Sequence, residues 1–245
     1  AAHLAKTDLT THLVYEFPEL QGIAGAEYAR AEGEEENAAR AIAGHYLPAN
    51  LSEDFRNLKK KLNPEAALVG LSDRMDLLTG ALGLGVELNA SQDPYALRRA
   101  AGGIVKILRA HPLRFSFSKW AEAARKLYGN LISKSAEELL GKLMPFFKER
   151  IAFELQVKAG TKEYDLLQGI CASGFDDLAD VYERFDQLLR EMNHPAFLRA
   201  CKVAERTANI LKGIKTKVND HIDPALFSES LERELFDLLN REESA

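Results

Sequence analysis

Hydrophobic residues recur at spacings of three and four along much of the chain, the period that places them on one face of an α-helix. Alternating apolar and polar residues, which would indicate β-strands, are confined to two short stretches, 84–88 and 113–117. The pattern therefore predicts an all-α protein. The helices that it predicts most strongly span residues 97–108, 119–131, 137–153, 176–192, 196–211 and 224–239.

Several predicted helices begin after residues whose side chains can accept hydrogen bonds from the first free backbone N–H groups. These residues are Asp93 before Pro94, Ser116 and Ser118, and Ser135 with Glu138 at capping-box spacing. The glycine-rich segment 80–85 has no lysine or hydroxyl residue at the offset that a phosphate loop needs. We interpret this segment as a turn that ends a helix.

Charge and cysteine content limit the classes of protein to which this chain can belong. The 32 Lys and Arg residues against 37 Asp and Glu give a net charge of −5, which excludes a wholly basic nucleic-acid protein but not a local basic face. Cys171 and Cys201 lie far apart, and two such cysteines favour a reducing compartment. No apolar stretch is long enough to cross a membrane. We therefore expect a cytoplasmic protein, and a fragment of a longer chain.

Catalytic motifs are scarce. No Walker loop, GxGxxG or GxSxG motif occurs, and the six histidines form no HExxH motif and no His-Asp doublet. Glu16, His45, Asp73 and Asp76 could still converge on a metal. Because Asp73 and Asp76 are three residues apart, they share one helix face. Helix capping with ion pairs to Arg74, a polar functional cleft and a metal site all remain open for them.

Two basic faces are candidates for phosphate contact. The first basic face lies on the helix predicted at 97–108 and continues just past it: Arg98, Arg99, Lys106 and Arg109. The second basic face lies on the helix predicted at 196–211: Arg199, Lys202, Arg206 and Asn209. Lys212, Lys215 and Lys217 extend the second face along the chain. Such a face can be merely solvated, or it can bind RNA by displacing counterions from phosphates.

Several runs of sequence are too specific to follow from periodicity. The chain resembles the β subunit of the bacterial two-subunit (α2β2) glycyl-tRNA synthetase, which carries similar motifs in the same order. The runs that carry the resemblance are residues 4–11 (LAKTDLTT), 15–29 (YEFPELQGIAGAEYA), 44–48 (GHYLP), 72–76 (SDRMD), 91–101 (SQDPYALRRAA) and 204–212 (AERTANILK).

The resemblance implies two helical domains. Residues 1–160 correspond to an HD-like domain, related to HD phosphohydrolases, and residues 161–245 to the start of a C-terminal anticodon-binding domain of the DALR type. It also implies that glycine activation, with ATP and Mg, belongs to the separate α subunit, so we expect no cofactor in this chain. Arg74 and Ala24 depart from the family's usual Lys and Met. Without a His-Asp doublet, we expect the HD-like domain to hold no catalytic metal.

We therefore expect the tRNA-recognition part of a glycine–tRNA ligase β subunit, with glycine tRNA and the α subunit as partners and neither DNA nor a membrane. Arg199, Lys202 and Arg206 would contact phosphates, and Asn209 would lie near a base or brace the fold. Lys6 and the first basic face would contact tRNA or other domains. The HD-like cleft comprises Glu16, Gln21, His45, Asp73 and Asp76. These side chains, and Asp93, could equally be contacts between helices.

Two alternatives belong to other classes. Kinship with HD proteins raises a metal-dependent phosphohydrolase that uses Glu16, His45, Asp73 and Asp76, an argument from fold alone. The other alternative is a purely structural domain that braces the α2β2 assembly. Metal analysis would discriminate the first alternative, and charge reversal on the basic faces would discriminate the second.

Overall fold

A computed structural model describes residues 1–86, 93, 95–212 and 222–243. In this part of the chain the regular structure is helical and contains no β-strand, which confirms the all-α prediction. No helix among the described residues is long and apolar enough to cross a membrane. Of the residues discussed above, Ser91, Gln92, Pro94, Lys215 and Lys217 lie outside the described ranges.

Helices account for most of the described chain, with short 3₁₀ turns at Thr7–Thr10, Pro18–Leu20, Gly129–Leu131 and Pro224–Leu226. The α-helices are α1 (His12–Glu16), α2 (Ile23–Ala31), α3 (Glu36–Gly44), α4 (Phe55–Lys61), α5 (Pro64–Gly83), α6 (Leu97–Ala110), α7 (Phe117–Tyr128), α8 (Ala136–Glu154), α9 (Lys162–Ala172), α10 (Leu178–Glu191), α11 (Pro195–Leu211) and α12 (Ser230–Glu243).

The chain forms two compact units, Ala1–Arg190 and Glu191–Ala245. Residues 161–190, which the resemblance assigns to the second domain, pack in the first unit, because α9 and α10 contribute Leu167, Ile170 and Phe185 to its core. The compact units thus divide after Arg190, 30 residues beyond the expected domain boundary. That boundary, as a division between an HD-like and an anticodon-binding domain, stays a prediction.

The core of the first unit surrounds α6, which packs against α4, α5 and α8. Nearly every side chain of α6 is buried, including Ile104, Ile107 and Leu108. Close approach to α6 is possible because Gly102 and Gly103 carry no side chain: a Cβ on Gly103 would lie 2.6 Å from the guanidinium Nε of Arg74. The helix is therefore enclosed on its small-residue side as well as on its apolar side.

The expected helix caps are confirmed at Ser135 and Ser116 and corrected at Ser118 and Asp93. Ser118 lies within α7, where its N–H donates to the carboxylate of Asp176 at 2.7 Å. Ser135 and Glu138 form a capping box at the start of α8, and Ser116 accepts a hydrogen bond from the N–H of Lys119 at the start of α7. Asp93 does not directly precede its helix, because α6 begins at Leu97. Its carboxylate nevertheless accepts hydrogen bonds from the first N–H groups of α6, at 2.6 and 3.0 Å.

The glycine-rich segment is the end of a helix, as expected. Helix α5 ends at Gly83, and Gly85 follows with a φ of +90°, a conformation that glycine adopts without strain. The N–H of Val86 donates to the carbonyl oxygen of Ala81 at 2.9 Å and so closes the last turn.

Candidate nucleic-acid interface

The second basic face lies on α11, in the second unit. The helix begins with a His194 cap, whose ring Nδ1 accepts from the N–H of Ala196, followed by Pro195 in the first turn. Because Arg199, Lys202 and Arg206 are spaced by three and four residues, they project from one side of this helix. Their spacing predicted one helical face, and the observed helix has the predicted bounds to within one residue.

All three cations of this face are exposed. Within the described residues, none of them lies within ion-pair distance of a carboxylate. Further along the helix, Lys212 Nζ donates to the side-chain oxygen of Asn209 at 3.0 Å. Asn209 therefore contacts a neighbouring lysine on its own helix, which brings a further cation onto the same surface.

Helix α11 has no buried residue. Its apolar side chains are exposed too: Leu198, Val203 and Ile210 retain 48%, 64% and 71% of their accessible surface. In the same unit, Leu231 and Leu235 of α12 are 68% and 70% exposed. Both helices thus carry apolar side chains that the described residues do not cover.

The first basic face, on α6, is partly buried. Lys106 is buried, and its ammonium group donates to the backbone carbonyl oxygens of Leu51 and Glu53 and pairs with Glu154 at 3.2 Å. Arg109 also pairs with Glu154, at 3.2 Å, and stacks over the ring of Phe55. The expectation that Lys106 contacts RNA is thus corrected, because its donors are used inside the first unit.

The remaining cations of that face lie at the start of α6. Arg99 is exposed and Arg98 is half-buried, and Arg98 has an interaction partner of its own. The four cations therefore do not form one exposed face. Lys106 and Arg109 lie in the interior of the first unit and at its edge, whereas Arg98 and Arg99 lie near the N-terminal end of α6.

The cleft residues are brought together only in part. Lys6 pairs with Asp73 at 3.1 Å, and its ammonium nitrogen lies 4.1 Å from the centre of the Tyr46 ring. The Tyr46 ring contacts that of His45, with 3.9 Å between the centroids and a tilt of 41°. Gln21 and Tyr46 line one groove of the first unit. Burial, with the nearby Asp8 and Asp73 carboxylates, raises the pKa of Tyr46 to about 12.

His45 is fully buried. Its Nδ1–H donates to the carbonyl oxygen of Ile42 at 2.6 Å, and its Nε2 has no partner among the described residues. Desolvation is the main reason that the pKa of His45 lies below its ordinary value of 6.5. His45 is therefore a neutral ring within the first unit.

Glu16 and Asp76 lie apart from this contact. Glu16 is exposed at the end of α1, and Asp76 accepts a hydrogen bond from the hydroxyl of Tyr128 at 2.6 Å. Among the described residues, no group of three or more His, Cys, Asp or Glu side chains is arranged to hold a metal ion. The structure therefore does not bring the four candidate metal ligands together.

Arg74, the residue next to Asp73, connects α5 to the backbone that follows α3. Its guanidinium donates four hydrogen bonds of 2.8–3.0 Å to backbone carbonyl oxygens, those of His45, Tyr46, Leu47 and Gly70. Three of these carbonyls follow the C-terminal end of α3, where the helix dipole favours a cation. Arg74 is thus a structural contact between α5 and the segment that follows α3. Within the described residues it forms no ion pair with Asp73 or Asp76, which contact Lys6 and Tyr128 instead.

Asp8 is a buried acidic residue that no pattern in the sequence marks as a site. One carboxylate oxygen accepts from the N–H groups of Gly22 and Gly25, at 2.6 and 3.2 Å, at the start of α2. Gly22 has a φ of +81°, and a Cβ on Gly25 would lie 3.1 Å from the Asp8 carboxyl carbon. The TDL and ELQGIAG runs are therefore joined physically, which their wide separation in sequence did not indicate.

These contacts can be set against known proteins. A sequence model of the family described as glycyl-tRNA synthetase beta subunit matches residues 1–172. The chain belongs to the glycyl-tRNA synthetase β-subunit family. Asp8, Gly22, Gly25 and Arg74, which hold the N-terminal helices together, all lie within the part that matches this family.

Curated relatives extend the similarity over nearly the whole chain. The chain is 36% identical to the glycine–tRNA ligase beta subunit of Desulforudis audaxviator over 236 residues, which is 96% of this chain and 33% of that protein. The corresponding subunits of Geobacter sulfurreducens and Moorella thermoacetica are 35% and 36% identical, again over 96% of this chain and 33% of their own lengths. The chain thus spans about a third of the length of the curated relatives it matches.

Proposed function

We propose that this chain is the tRNA-contacting part of a glycine–tRNA ligase β subunit. It would support glycylation of tRNA by a ligase whose α subunit carries the ATP and Mg chemistry, in an α2β2 assembly in the cytoplasm. The curated relatives are named as beta subunits of this ligase, which supports the proposal. The HD-like and DALR-type domain assignments are part of the same proposal.

The observation that carries the RNA-contacting role is the second basic face. Arg199, Lys202 and Arg206 are exposed cations on one side of α11 without a carboxylate partner among the described residues. Phosphate groups would replace water around them, and the release of counterions from RNA would supply the free energy. Contacts of this kind position RNA rather than read its sequence.

Binding of the chain to glycine tRNA and to a non-cognate tRNA, each across a salt series, tests this role. We expect salt-sensitive binding of both, since phosphate contacts are sequence-independent, with tighter binding of glycine tRNA. Equal affinity for the two tRNAs would mean that this piece contributes phosphate contacts without recognition. Absence of binding even at low salt would overturn the proposal.

A bracing role is a second candidate, favoured by the exposed apolar side chains of α11 and α12. These side chains would gain stability by packing against other parts of an assembly. In that case, charge reversal of Arg199, Lys202 and Arg206 would leave tRNA affinity unchanged. The phosphohydrolase alternative has no comparable support, because its four candidate ligands are not brought together.

A further inference from the structure

A groove in the first unit carries cations that neither basic face includes. This α3–α4 groove has a volume of about 630 Å³ and runs beside the end of α3, the end of α4 and the turn Pro18–Leu20. Its charged lining residues are Arg30, Arg40, Lys60 and Lys61, against the single carboxylate of Glu19. Arg30 is already paired with Glu27 and Glu36, so the cations of the groove that can bear on a ligand are Arg40, Lys60 and Lys61.

Helix α4 supplies the strongest part of this charge. Its seven residues, FRNLKKK, include four cations and no acidic residue. Lys60 is exposed and has no carboxylate at ion-pair distance within the described residues. Lys61 pairs with Glu53 at 2.6 Å, and its side chain is 60% exposed.

Helix α3 supplies the facing cation. Arg40 is 65% exposed, and its ion pair with Glu36 is long, 3.4 Å from its Nε to a carboxylate oxygen. Glu36 is held more tightly by Arg30, at 2.8 Å, and this hydrogen bond keeps the pKa of Glu36 below its ordinary value. The remaining guanidinium donors of Arg40 are therefore available to a ligand.

The Arg40–Glu36 pair is exposed on both sides and contributes little to stability, so a phosphate can displace it at small cost. The Lys61–Glu53 pair differs, because the Glu53 carboxylate is only 12% exposed; Lys61 would therefore meet a phosphate while it stays paired with Glu53. Lysines in the last turn of a helix also stabilise its dipole, which is the competing explanation for Lys60 and Lys61. That explanation does not account for Arg40, which comes from another helix and lines the same groove.

We propose that the α3–α4 groove is a second phosphate-binding surface, on which Arg40, Lys60 and Lys61 contact the phosphodiester backbone of RNA. The inference rests on the proposed function, since tRNA is the RNA expected. Long, exposed cations from two helices suit a backbone that passes along a groove, and each contact releases counterions. With the second basic face, the chain would hold RNA at two separate places.

The test compares three triple variants of the whole chain by fluorescence anisotropy with labelled glycine tRNA. The groove variant carries Arg40→Gln, Lys60→Gln and Lys61→Gln. The face variant carries Arg199→Gln, Lys202→Gln and Arg206→Gln. The control carries Lys126→Gln, Lys142→Gln and Lys162→Gln, which remove the same charge from exposed positions on α7, α8 and α9.

We expect the groove variant to bind roughly tenfold more weakly than the control near physiological salt, with a salt dependence shallower by about two units in the log–log slope. Thermal unfolding of each variant separates a binding role from stabilisation of the α4 dipole. A groove variant that unfolds earlier but binds like the control would overturn the inference.

The remaining outcomes distinguish the two proposals. If only the face variant weakens binding, the groove inference is wrong while the proposed function stands. If the unsubstituted chain does not bind tRNA at low salt, the proposed function is overturned and the groove inference with it. Equal weakening in all three variants would show an effect of net charge alone and would also overturn the groove inference.

Discussion

The two basic faces look alike in sequence and differ in the folded chain. On α11, the cations Arg199, Lys202 and Arg206 are exposed, and within the described residues they lack carboxylate partners. On α6, Lys106 is buried against Glu154 and two backbone carbonyls. The difference shows that same-sign spacing on a helix indicates a surface only when nothing can pack over that side.

What encloses Lys106 and Arg109 is the small-residue run that precedes them on α6. Ala100, Ala101, Gly102 and Gly103 let neighbouring chain segments approach the polar side of the helix. Helix α11 has no such run, since its residues 196–211 contain no glycine. Glycines beside a basic stripe are therefore the signal that could have separated the two faces.

The largest expected effect comes from removing the buried cation. Lys106→Met leaves the Glu154 carboxylate with only Arg109 as a partner and leaves two backbone carbonyls without their donor. We expect a loss of about 3 kcal/mol in the free energy of unfolding, measured by urea denaturation. On α11, Lys202→Met should change stability by less than about 0.5 kcal/mol. Equal effects of the two substitutions would contradict the difference between the faces.

A second substitution tests whether another buried polar contact of the first unit contributes to the free energy of unfolding, as Lys106 is expected to do. Asp8→Ala leaves the N–H groups of Gly22 and Gly25 without an acceptor at the start of α2. We expect a loss of about 2 kcal/mol in the free energy of unfolding. Asp8→Asn keeps an acceptor oxygen and should cost clearly less. If Asp8→Ala unfolds like the unsubstituted chain, Asp8 does not hold α2.

The pH dependence of stability gives a smaller effect with a defined direction. Burial lowers the pKa of His45 below 6.5, so the unfolded chain takes up a proton that the folded chain resists. The contribution of His45 to stability is therefore complete above pH 6.5 and is lost as the pH falls from there towards the lowered folded pKa. Three charged groups also shift the pKa of His45: Lys6 and Arg74 lower it, and Asp73 raises it.

The variant His45→Asn keeps a donor towards the Ile42 carbonyl but does not titrate. We expect it to be less stable at neutral pH and to lose less stability than the unsubstituted chain between about pH 7 and about pH 5, measured by urea unfolding. An unchanged slope against pH would show that other groups control the acid sensitivity of the first unit.

Sequence patterns predicted the helices from α6 onward, apart from α9, better than those before α6. In α2 and α3, the buried residues are mostly alanines, including Ala26, Ala39 and Ala41, so the apolar period carries little contrast. The family resemblance covered this part, but it did not show which residues touch. The contact of Asp8 with Gly22 and that of Lys106 with Glu154 join positions far apart in sequence, and no local pattern encodes such pairs.

The tRNA-contacting role proposed for this chain depends on contact between the second basic face and RNA phosphates. The most direct measurement is the log–log slope of glycine tRNA affinity against salt for the variant Arg199→Gln, Lys202→Gln, Arg206→Gln beside the matched control on α7, α8 and α9. We expect a slope shallower by about two units and weaker binding for this variant than for the control. A slope and an affinity equal to those of the control would contradict it.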